Sequence, residues 1–269
     1  MRLTVDHVTR YHYDRPVRSV VQSHRLTPSV FAGQKTIAWE VTVTGGAKGS
    51  VFRDGAGDLV QAWTVPGPLA EVTVRVQGLV ETVDLTGVLR GHKETAAPEC
   101  YLRATLPTRA DTALDSLARS AEGADPLGAG PMRWSAAVAD AIAYRPGVTS
   151  AHTTAAEALA LGEGVCQDHA HALIAVARVR GLPGRYVSGY LFADADGQSH
   201  EAAHAWAELH LPGLGWVGFD PANRCCPDDR YIRLGSGFDA QDAAPIRGIA
   251  RGGGKEAMDV TVAILQASQ

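Results

Sequence analysis

A chain of 269 residues, 45% of them hydrophobic and 20% charged, has enough apolar material for one large core or two modest ones, which excludes a disordered or fibrous protein. The formal charge is −4 and the basic residues are scattered, so no stripe exists that could neutralise a phosphate backbone, and nucleic acid is not an expected partner. No stretch could cross a bilayer, the first ten residues lack the apolar core of a secretory leader, and four cysteines in so long a chain make no disulfide framework; a cytoplasmic location, no membrane partner and free thiols are expected.

The first third reads as β. Arg2 to Tyr13, Val17 to Leu26, Thr36 to Thr44, Leu59 to Val65 and Glu71 to Val83 alternate apolar with polar residues and are rich in Val and Thr. Thr44-Gly-Gly-Ala, Asp54-Gly-Ala-Gly-Asp58 and Pro66-Gly-Pro68 supply the turns between them. Residues 1–90 are therefore expected to form a small all-β sandwich or barrel. From Leu85 to Thr108 the periodicity fades and Gly87, Gly91, Pro98 and Pro107 interrupt it, which places a connector at 91–108 and a second domain at 109–269.

Helical signals open that second domain: Asp111 to Arg119, Met132 to Tyr144 behind Pro131, and Thr154 to Leu161 with Glu157 in its first turn. Gln167 to Arg180 is nearly unbroken Ala, Leu, Ile and Val, ended by Gly181 and Pro183, as a buried helix requires. Arg185 to Phe192, Ala203 to Leu211 and Trp216 to Asp220 follow as antiparallel strands, divided by turns at Asp194-Ala-Asp-Gly197 and Pro212-Gly-Leu-Gly215. Met258 to Leu265 alternates like one further strand. A central helix packed on an antiparallel sheet makes this domain α+β.

Cys166 stands between the glycine-rich turn Gly162-Glu-Gly-Val165 and the first turn of the buried helix, where unpaired amides and the positive end of the helix dipole favour a thiolate and an adjacent oxyanion. A structural cysteine is the competing reading there. His204 begins one strand and Asp220 closes the next; if the two strands are antiparallel neighbours, Asp220 can hold His204 by its ring N–H, and the imidazole can pair with a thiolate.

Gly162-Glu-Gly-Val-Cys-Gln-Asp-His-Ala-His171, Gly184-Arg-Tyr-Val-Ser-Gly-Tyr190, Ala203-His-Ala-Trp206 and Gly215-Trp-Val-Gly-Phe-Asp-Pro221 together resemble the bacterial transglutaminase-like family. The β-rich first third is similar to that family's N-terminal domain. The resemblance implies a papain-like core in which Cys166 attacks an amide carbonyl, His204 shuttles the proton and Asp220 orients the imidazole. Water would then hydrolyse the thioester, whereas an amine would give transamidation. Val165 stands where animal transglutaminases carry an aromatic residue, so hydrolysis of a peptide or protein amide is the favoured expectation. A peptide-binding module without chemistry is the other alternative.

Gln167, Asp168 and Trp206 are candidates for substrate contact, although Asp168 also suits a helix start and Trp206 the core. Zinc held by Cys166, His169, His171, His200 and His204 is a rival reading with unpersuasive spacing, and no acidic loop has calcium-site spacing, so neither metal nor cofactor is expected. Cys225 and Cys226 receive no role. A homodimer is the default assembly.

Overall fold

The chain runs β1 (Arg2–His24), β2 (Gln34–Val43), β3 (Ala47–Arg53), β4 (Leu59–Thr82), a 3-10 turn at Pro98–Leu102, α1 (Thr112–Ser120), α2 (Gly130–Ala141), β5 (Ala143–Tyr144), α3 (Ala155–Leu161), β6 (Glu163–Gly164), α4 (Cys166–Val179), β7 (Gly184–Leu191), β8 (Ala203–Leu211), β9 (Gly215–Phe219), β10 (Tyr231–Gly237), β11 (Ile246–Arg251) and β12 (Glu256–Gln266). The computed structural model describes residues 1–121, 130–192 and 203–267. The turn expected at Asp194 to Gly197, with His200, lies outside the described residues. Among the described residues no helix is long and apolar enough to cross a membrane.

Two long strands carry the first sheet. The segments 2–13 and 17–26, expected as separate strands, are merged in β1, because the interruption at Asp14-Arg-Pro16 produces register shifts against β4 between His12 and Ser19 rather than a reversal. Likewise Pro66-Gly-Pro68 lies within β4, where Pro66 stays opposite Ser19 and the register shift falls on Gly67 and Pro68. β11 and β12 take two stretches of one edge of β1, and β2 and β3 two stretches of the far edge of β4. The buried residues of this sheet, including Leu3, Val20, Trp63 and Val74, form one core. β3 escapes sequence reading because all seven of its residues are exposed, so no buried face imposes alternation.

The last strands return to the start of the chain. β11 and β12 fall within 109–269, yet both pair with β1, so the terminal segment builds the first sheet.

In the second unit α4 is the axis. Every residue from Asp168 to Ala177 is buried, with α1, α2 and α3 on one side and β7 and β8 on the other. α3 starts at Thr154 with a reciprocal Thr154–Glu157 capping box and stops at Gly162, which takes φ 72°. The sheet order is β10-β7-β8-β9. β7 and β10 are buried along their whole length, since Tyr190, Ile232 and Leu234 also belong to the core of the first sheet. A strand buried on both faces shows no alternation, and β10, with Gly235 and Gly237 among its last three residues, gave no sequence signal.

Ion pairs cross the same junction. Arg233 Nε donates to Glu208 Oε1 and its Nη1 to Asp58 Oδ1, both at 2.8 Å, while Arg185 Nε donates to Glu208 Oε2 at 2.7 Å and Arg185 also pairs with Glu94. Asp58 and Glu94 come from the first domain and the connector. Burial opposes the charge on Glu208, yet Arg233 and Arg185 hold its carboxyl down at about 2.

Candidate active site

The site begins with how α4 is started. Asp168 is fully buried, and its Oδ2 accepts from the Val165 N–H at 2.8 Å and from Thr149 Oγ1 at 2.7 Å, so it fixes the turn that delivers Cys166. His169 fastens the same turn from below, its ring nitrogens lying 2.9 Å from Val165 O and 2.8 Å from Ile142 O. Cys166 is the first residue of α4, where the leading amides have no intrahelical acceptor. It is half-buried and therefore reachable.

Asp168 thus serves the fold rather than a substrate, because a carboxylate with no exposed surface has nothing to offer the cleft. Asp168→Ala is expected to cost about 1–2 kcal/mol of stability, the usual loss for a helix-start side chain, as read from the urea midpoint.

β8 and β9 are antiparallel neighbours with Ala207 opposite Phe219, which sets the start of β8 beside the end of β9. His204 Nε2 lies 2.6 Å from Asp220 Oδ2. The same oxygen accepts from Asn223 Nδ2 at 2.8 Å and from the Tyr231 hydroxyl at 2.8 Å, and the Asn223 N–H reaches Oδ1 at 3.3 Å. Burial works against charge on Asp220, but His204, Asn223 and Tyr231 hold its carboxyl below the usual carboxylate range. Asn223 lies three residues past Asp220 in the chain, whereas Tyr231 sits on the strand that carried no sequence signal.

His204 is held from two sides. Burial disfavours its cation, but the Asp220 charge and hydrogen bond, joined by the hydrogen bond and charge of Cys166, push the imidazole up to about 10. With Nε2 donating to Asp220, Nδ1 is the ring nitrogen left for Cys166. The three candidate residues, Cys166, His204 and Asp220, are therefore brought together.

Trp206 is 3% exposed, its ring stacked on His204 at 6.3 Å and set edge-on to Tyr231 at 5.5 Å. It backs the imidazole, and burial removes it from substrate contact. Gln167 stays half-buried beside Cys166, with Nε2 donating to Ser150 O at 3.3 Å. Of the three substrate candidates, it alone keeps appreciable exposure.

The residues of the zinc reading go different ways. His171 Nε2 accepts from the Ala240 N–H at 3.0 Å, and burial pushes its imidazole down to about 4. Among the described residues no group of three or more His, Cys, Asp or Glu side chains could hold a metal ion. All four cysteines are free thiols, and Cys225 Sγ lies 3.4 Å from the Tyr231 hydroxyl.

Comparison with known proteins agrees with this architecture. The transglutaminase-like superfamily matches residues 115–221, and the bacterial transglutaminase-like N-terminal region matches residues 3–81. An uncharacterized protein of Mycobacterium leprae is 32% identical over 98% of this chain and 98% of its own length. An uncharacterized protein of Mycobacterium tuberculosis is 32% identical over 92% of this chain and 87% of its own. The crystal structure of a suspected cysteine protease from Cytophaga hutchinsonii superposes with a TM-score of 0.75 at 20% identity, covering 100% of this chain and 92% of the other, a likeness of fold.

Proposed function

Because this chain belongs to the bacterial transglutaminase-like family, we propose that it hydrolyses a peptide, isopeptide or carboxamide bond through a thioester on Cys166. The observation that carries the reading is the buried His204–Asp220 pair at 2.6 Å, with Cys166, a half-buried thiol at a helix start, among the groups that raise the imidazole.

In the proposed cycle Cys166 Sγ attacks the amide carbonyl carbon while its proton resides on His204. Asp220 keeps the imidazole oriented and charged. The amides at the start of α4 face the developing oxyanion. As the tetrahedral intermediate collapses, the C–N bond breaks, His204 passes its proton to the departing nitrogen, and a thioester remains. Water then attacks, giving its proton back to His204, and the C–S bond breaks to release a carboxylate and restore Cys166.

An amine in place of water would make the same thioester a transamidation intermediate. The test is a panel of glutamine-containing and isopeptide-linked peptides incubated with the full chain, with and without hydroxylamine. We expect carboxylate products, an acyl adduct on Cys166 in acid-quenched mass spectra, and neither with Cys166→Ala. Hydroxamate in large excess at low hydroxylamine would favour transamidation. Peptide binding with no product and no adduct would favour a non-catalytic module.

A further inference from the structure

β10 lies at the opposite edge of its sheet from β9, yet the side chain of Tyr231, the first residue of β10, comes back to Asp220 at the end of β9. Its ring is 5% exposed, set edge-on to Trp206 at 5.5 Å and tilted against His204 at 5.9 Å. The hydroxyl is thereby fixed between two groups, Asp220 Oδ2 at 2.8 Å and Cys225 Sγ at 3.4 Å. Cys225 is held in place by its backbone, which exchanges hydrogen bonds of 2.8 and 3.2 Å with that of Asp220.

Proton counting sets the direction of this relay. An ionised carboxylate only accepts and a phenol has one proton to give, so Tyr231 donates to Asp220 and its oxygen accepts from the Cys225 thiol. Both donors keep their protons. Burial raises the Cys225 thiol, and burial together with the Asp220 charge pushes the Tyr231 phenol well above its ordinary range. A hydroxyl that accepts one hydrogen bond donates the next more strongly.

Asp220 Oδ2 is then the meeting point of three donors, His204 Nε2, Asn223 Nδ2 and the Tyr231 hydroxyl. Donors that share one oxygen lower its basicity, so each weakens its pull on the protons of the others. The proton that matters is the one in the 2.6 Å contact between His204 and Asp220. Were it to pass to Asp220, the imidazole would be neutral and a Cys166 thiolate would lose its counter-ion.

We propose that Tyr231, directed by the Cys225 thiol, is a positioning residue of the triad: by taking a share of Asp220 Oδ2 it keeps the carboxylate charged and the proton on His204. This assignment rests on the triad reading of Cys166, His204 and Asp220, and Cys225 gains a part in it, as donor, that spacing alone does not show.

The test follows the downfield proton resonance of His204 Nε2 in the full chain by NMR, assigned by its loss in His204→Ala. Tyr231→Phe keeps the ring against Trp206 and His204 and removes only the hydroxyl. It is expected to move the resonance further downfield, as the proton is drawn toward Asp220, and to slow iodoacetamide labelling of Cys166 at pH 7, read by mass spectrometry, by about 2- to 10-fold, the weight of one hydrogen bond. Cys225→Ala should move the resonance the same way by less, and Cys225→Ser, which keeps a donor, should restore it. A resonance unmoved in Tyr231→Phe would overturn the proposal and leave the hydroxyl as a buried group with a satisfied partner. Because the resonance reports on the His204–Asp220 pair whether or not Cys166 reacts, slow labelling of Cys166 in the wild type would count against the triad reading instead.

Discussion

Asp220→Asn is expected to slow turnover of an amide substrate by about 10²- to 10⁴-fold, with the fold retained. The carboxylate is the principal charge that keeps His204 protonated against its own burial, and it accepts the hydrogen bond that fixes the ring. An asparagine of the same shape still fills the pocket beside Asn223 and Tyr231, but it brings no charge. Stopped assays over a pH series would show a second consequence. The folded value of His204, about 10, lies above the ordinary 6.5, so its contribution to stability is complete below about pH 6.5 and is lost as pH rises through about 10. In Asp220→Asn that upper limit moves down, and the alkaline limb of the rate profile should move with it.

Glu208→Ala is expected to destabilise the protein by about 3–5 kcal/mol, enough to unfold many domains outright. The reason is what remains: Arg185 and Arg233, both fully or nearly buried, each lose their shared partner and keep one acid apiece, Glu94 and Asp58. Since Asp58 and Glu94 belong to the first domain and connector, the loss should loosen the junction as well as the second sheet. Urea unfolding followed separately by Trp fluorescence and far-UV dichroism would read both. The pH dependence has the opposite sign to that of His204. Glu208 sits at about 2 instead of 4.5, so its contribution is present above about pH 4.5 and disappears as pH falls toward 2.

How much of this was legible in the sequence depended on burial. α4 was read from its unbroken apolar run between Gly162 and Gly181, and the inner face of β1 from its alternation. At β10, buried along its length and carrying Gly235 and Gly237, and at β3, exposed along its length, the sequence was silent. The return of β12 to β1 pairs residues more than 240 positions apart, for example Leu3 with Gln266, and no local pattern carries that information. The same logic governs the site. Cys166, His204 and Asp220 stood at element ends that a turn chemistry could locate, and the neighbouring strands brought the last two together. Tyr231 and Asn223, which complete the shell around Asp220, act through distances that only the folded sheet supplies. Asp168 and Trp206 had the residue types of substrate contacts, but burial turned one into a helix-start acceptor and the other into the wall behind His204.

The most direct test is the alkylation rate of Cys166 against pH, measured by mass spectrometry in the wild-type chain and in His204→Ala. Cys225 and Cys226 serve as internal controls, since burial raises both thiols, Cys226 to about 11. Exposed Cys100 is the third. The account predicts fast labelling of Cys166 well below about pH 8, lost in the variant. Labelling of Cys166 no faster than the controls, and indifferent to His204, would contradict it.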